Sequence, residues 1–180
     1  MKTVYFVLVA ALTGMSVAQS TPKQLHFDLS KIGSQLNGEQ ICEDKGRLQD
    51  YPSTVMDHII AAGPSSVTIL IGMITDERLV RTKEPIICFW YGMTIGDLAL
   101  CTLSDLFDDA SHAKETVPGS DWASMMDPED KDRPAPDELR LFVKKHGRAA
   151  LQARWRKLWA RYGDQVYWDA KERCFRLRGQ

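Results

Sequence analysis

The dipeptide Gly63-Pro64, set between two apolar runs at helical spacing, constrains this chain more than any other feature. Before it, Pro52, Ser53 and Thr54 form a helix-start signal, and Val55, Met56, Ile59 and Ile60 recur on one helical face. After it, Ser65 or Ser66 can cap a second helix whose Val67, Leu70, Ile71 and Ile74 lie at i, i+3, i+4 and i+7. Glycine ends a helix readily and proline cannot continue one, so the two helices are expected to double back as a hairpin.

Further along, Thr94 or Asp97 can cap a helix running to about Phe107 that is apolar on nearly every side through Leu98, Ala99, Leu100, Cys101, Leu103 and Leu106. Such a helix belongs at the centre of a bundle. Pro136 and Asp137 start another helix that stops at Gly147, and a further one follows from Arg148 to about Tyr162. Residues 165–177 read as two short strands around Asp169-Ala170-Lys171-Glu172, with the register left open. The fold class expected is mainly α, helical hairpins packed as one small domain of residues 51–180 with a short C-terminal β-hairpin. A total of 180 residues, 44% of them hydrophobic and 26% charged, suits one such domain and excludes a disordered tail, a collagenous fibre or a large multidomain enzyme.

The tract from Ala62 to Asp76, a Gly-Pro turn leading into an apolar helix that ends in Asp, resembles the turn and second helix of HEAT-type repeats. The resemblance spans about one repeat and implies antiparallel helices that each show one face to a partner and another to the next repeat. The stretch from Trp90 through Phe107, with Tyr167-Trp168-Asp169 and Arg173 to Leu177, is similar to a group of uncharacterised exported bacterial proteins, a likeness that implies export and carries no activity.

Export also follows from the residues themselves. Lys2, the apolar run Val4 to Leu12 and the small residues Ser16 to Ala18 have the layout of a secretory signal peptide, residues 1–18, cut before Gln19. That run is too short for a membrane span, so the product is expected to be secreted or periplasmic, with no stable membrane insertion after cleavage. An oxidising compartment makes disulfides among Cys42, Cys88, Cys101 and Cys174 reasonable, although three pairings are open and Cys88 and Cys101 also suit plain buried thiols. Residues 19–50 are polar, with Gly33, Gly38 and Gly46, and read as a weakly ordered lead-in. Residues 108–136 combine many carboxylates with four prolines and read as an acidic surface loop, anchored by Trp122 and Met125.

No phosphate loop, dinucleotide fingerprint or metalloprotease motif occurs, and no cofactor or metal is expected. His26, His58, His112 and His146 are scattered. Asp57 and His58, one residue apart on a helix, point different ways and form no relay. The apolar setting of Cys101 raises a thiol pKa and works against a nucleophile. Asp105, Asp108, Asp109 and Glu84 supply carboxylates, which leaves a cell-envelope hydrolase using paired carboxylates or a Cys-His pair as the alternative function.

The leading expectation is an exported protein-interaction module. From Asp137 to Gln180 there are 12 Lys plus Arg against 5 Asp plus Glu, and Arg148, Arg154, Arg156, Lys157 and Arg161 surround an apolar stripe of Leu151, Trp155, Leu158 and Tyr162. Those five cations form the candidate binding face, suited to an unknown protein or an anionic envelope component. The bland alternative is that they neutralise the acidic loop within the fold. The whole chain carries 23 basic and 24 acidic residues, a formal charge of -1, so nucleic acid is not an expected partner.

Overall fold

The computed structural model of the protein describes residues 25–36, 46–80, 93–108, 116–120 and 143–179. The expected signal segment, Cys42, Cys88, Glu84, Asp109, His112, Trp122, Met125 and the expected helix start at Pro136 and Asp137 lie outside these residues, as does most of the acidic loop. Two 3-10 turns, Leu29–Lys31 and Leu48–Asp50, precede the longer helices, the first leading directly into the single turn α1 (Ile32–Gln35). Then come α2 (Thr54–Ala61), α3 (Pro64–Met73), α4 (Ile95–Phe107) and α5 (Arg148–Tyr162). A 3-10 turn at Gly163–Gln165 leads to β1 (Val166–Asp169), which pairs antiparallel with β2 (Cys174–Leu177). The fold is mainly helical with a short C-terminal β-hairpin, as its periodicities imply.

Local chemistry explains the boundaries. The Ser53 side chain caps α2 by accepting from the Met56 amide, and Gly63 closes the link to α3 with φ 58°, a conformation that penalises any residue with a Cβ. The second helix begins at Pro64 rather than after a serine cap: proline fits the first helical position because its missing N–H would have no partner there. Ser66 instead donates its hydroxyl to the Gly63 carbonyl at 2.7 Å. Thr94 and Asp97 form a reciprocal capping box on α4, each side chain bonding the other's backbone amide.

Val67, Leu70, Ile71 and Ile74 are all buried, and α3 packs most closely against α4 and then against α5. Leu98, Leu100, Leu103 and Leu106 are fully buried, which places α4 at the centre, touching α3, β2 and both N-terminal 3-10 turns. Each buried leucine contributes about 1.5–3 kcal/mol.

The hairpin pairs Val166 with Leu177 and Asp169 with Cys174, so that Val166, Phe175 and Leu177 are buried in the core. Its turn is fixed by Asp169 Oδ1, which accepts the amides of Lys171 at 3.0 Å and Glu172 at 3.2 Å. The Glu172 amide, then the Lys171 amide and Arg176, hold this carboxyl below the usual carboxylate range.

The lead-in needs correcting where it is described. Phe27, Leu29, Ile32, Leu36 and Leu48 join the same core as α4, because short helical turns bury single residues without producing a long periodic run. Arg47, only 2% exposed, grips the Asp50 carboxylate through Nε and Nη2 and donates Nη1 to the carbonyls of Asp108 at 2.7 Å and Glu172 at 2.9 Å. Gln49 donates to the carbonyls of Asp105 and Arg173, and Arg173 returns a bond to the Gln49 carbonyl. These bonds join the lead-in, the end of α4 and the hairpin turn.

Candidate functional site

Helix α5 has two faces of opposite character. Leu151 and Trp155 are buried and Leu158, Trp159 and Tyr162 partly so, whereas Arg154, Arg156, Lys157 and Arg161 are exposed. The inward face meets an aromatic cluster: Phe107 lies 5.8 Å from Trp155, 6.4 Å from Trp159 and 5.4 Å from Phe175 between ring centres. Aromatic contacts of this kind add to the area they remove from water.

Three polar clamps fix the helix along its length. At its start, Arg148 Nη2 lies 2.7 Å from Asp97 Oδ1, the residue that also completes the cap of α4. In its middle, Gln152 donates to the Ile71 carbonyl at 2.9 Å and the Gly72 carbonyl at 3.2 Å, tying α5 to the last turn of α3, where Ile71 also accepts the Ile74 amide. Near its end, the Trp159 indole N–H donates to Thr68 Oγ1 at 3.1 Å. Gly96 makes the first clamp possible: a Cβ there would stand 2.3 Å from the Ile74 carbonyl oxygen and 2.9 Å from Arg148 Nη1.

Arg148 therefore leaves the candidate face. Its side chain is 13% exposed and belongs to an interior ion pair, because it sits in the first turn of α5, where that helix approaches the capped end of α4. The spacing of the apolar stripe gives the direction of Arg148 only if the partner carboxylate is known, and Asp97 lies 51 residues away. The other four cations keep the outward placement that the stripe implies, with the Arg161 guanidinium 5.0 Å from the Tyr162 ring centre.

Among the described residues, the others considered for chemistry are spread over several elements. His26, His58 and His146 are exposed on separate segments, as is Asp57. Asp105 accepts the Leu48 amide at 2.7 Å, a structural task at the end of α4. Burial pushes the Cys101 thiol far above the ordinary thiol range, and the Asp105 and Asp97 carboxylates push it the same way. Among the described residues no cluster of three or more His, Cys, Asp or Glu could hold a metal, and no helix is long and apolar enough to cross a membrane. Sequence reasoning missed Arg47 and Gln49, for which the only available signal was the Arg47/Asp50 spacing beside Leu48. No family model matches the chain, and no curated protein or solved structure is similar to it.

Proposed function

We propose that the protein is an exported interaction module that uses the outward face of α5 to hold an anionic partner. The observation that carries this reading is the separation of the helix's two jobs. One face is clamped at three points, while Arg154, Arg156, Lys157 and Arg161 stand exposed on a helix containing no Asp or Glu. A rigid, single-signed surface raises the local concentration of anions and speeds encounter with them. The HEAT-like character of residues 62–76 fits the same use, since paired helices offer firm faces to a partner.

Binding of polyglutamate at low and moderate salt tests the reading. The wild type is expected to bind at low salt and to weaken as salt screens the charges, while the variant with all four cations replaced by Gln melts normally and no longer binds. Equal binding by both proteins would overturn it. Export is the second half of the proposal: mass spectrometry of the secreted or periplasmic product should find its first residue at or near Gln19, and an intact Met1 in a cytoplasmic product would exclude the signal peptide.

A further inference from the structure

Among the described residues, Arg173 is the one non-glycine residue with a positive φ, 52°. A Cβ is disfavoured in that left-handed region, and this place at the end of the hairpin turn is one that glycine fills without strain. The Arg173 side chain reaches out of the hairpin. Its Nη2 donates to the Gln49 carbonyl and its Nε lies 3.5 Å from Asp50 Oδ1, both in the lead-in.

The lead-in carries a local cost at the same contact. Gln49 Nε2 donates to the carbonyls of Asp105 and Arg173, while its buried Oε1 has no hydrogen-bond partner, and a buried acceptor without a donor is unfavourable. Asp50 is shared between Arg173 and the buried Arg47, so one carboxylate closes the contact from both sides. Two unfavourable groups, one in the turn and one in the lead-in, are thus held by the bonds that lie between them. Residues that break a local rule persist where their surroundings over-determine them, and here each segment is the surroundings of the other.

We propose that Arg173 is a latch: it couples the hairpin turn to residues 25–36 and 46–50, which form a strap that detaches from α4 while the rest of the fold stays closed. With the strap docked, the clasp offsets the left-handed backbone of Arg173. With the strap released, Gln49 is solvated, and the side of α4 that packs against the two N-terminal 3-10 turns is bared. The clamps of α5 lie elsewhere, at Asp97, Ile71, Gly72 and Thr68, so the strap can leave without breaking them. This device is independent of what the outward face of α5 holds.

Trypsin cleavage after Lys31, timed by mass spectrometry on the full chain, reads release of the strap. The Lys31 side chain is exposed but Ile32 beside it is fully buried, so the bond between them is cut only when the segment leaves the core. Cleavage after Arg161, exposed on the clamped α5, reports opening of the rest. Arg173→Gly should speed cleavage after Lys31 at least about tenfold and leave cleavage after Arg161 within about twofold of the wild type. Arg173→Ala, which loses the same bonds but keeps the left-handed penalty, should open the strap as far and melt below Arg173→Gly. Arg176→Gln breaks the pair with Asp169 on the same hairpin and should leave the strap closed. A wild-type rate after Lys31 in Arg173→Gly, or equal acceleration after Lys31 and Arg161, would overturn the latch. So would Arg173→Ala melting at or above Arg173→Gly, because the turn would then hold no strain for the clasp to offset.

Discussion

Helix α4 buries all its side chains but the partly exposed Cys101, Ser104 and Asp105, whereas α5 buries one stripe and exposes Arg154, Arg156, Lys157 and Arg161. The two also treat ionisable groups differently. On α4, Asp97 completes a cap and neutralises Arg148, and Asp105 takes a backbone amide, so these carboxylates are committed inside the molecule. On α5 only Arg148 turns inward, and the remaining cations face solvent. The difference is that the ionisable groups of α4 serve the architecture of the protein, whereas four cations of α5 are exposed on its outer face.

Truncation of the core residues is the strongest way to break this contrast. Trp155→Ala should cost about 3–5 kcal/mol and Leu98→Ala or Leu106→Ala about 2–5 kcal/mol in a denaturant titration, because each leaves a cavity in a packed cluster. A loss below about 1 kcal/mol at Trp155 would mean that α5 is not docked as described. A smaller effect sharpens the link between the helices: Asp97→Ala strands a largely buried guanidinium and removes half of the capping box, for a loss of about 3 kcal/mol, whereas Arg148→Met should cost clearly less. Similar losses for the two would show that breaking the ion pair accounts for the whole effect and that the cap adds nothing measurable.

The mildest test concerns Cys101 and leaves the protein unaltered. Because the fold raises this thiol's pKa, the neutral form is favoured in the native state. The resulting stability is complete below the ordinary thiol pKa and declines as pH rises beyond it. At pH 9, site-resolved alkylation of Cys101 should be at least about tenfold slower in the folded protein than in urea. Matching rates would place Cys101 outside the core of α4.

Most of this contrast was legible in the residues. Thr94 with Asp97 three positions on, and the unbroken apolar character up to Phe107, mark the start, the end and the depth of α4. Gly147 and the stripe from Leu151 do the same for α5. Helical periodicity does not place Arg148, because its environment depends on Asp97, a carboxylate 51 residues away. The burial of Phe27, Leu29, Ile32 and Leu48 is not legible for a related reason: they lie in short turns or irregular backbone, where burial is decided by what packs over them. The hairpin's existence could be expected from its residues, whereas its register follows from which side chains meet the core across it.

The grip of Arg47 on Glu172 has a bearing on how the molecule is assembled in time. The two residues are separated by 125 positions, and Gln49 and Arg173 by 124, so closing these bonds brings together chain segments synthesised far apart. Helices such as α2 and α3 can form from neighbours alone, but this closure must wait until residues 172 and 173 exist and pays the entropy of a long loop. The lead-in should consequently be among the late parts to acquire slow amide exchange during refolding, and loss of the hairpin should release it while leaving the local turns of α2 and α3 able to form.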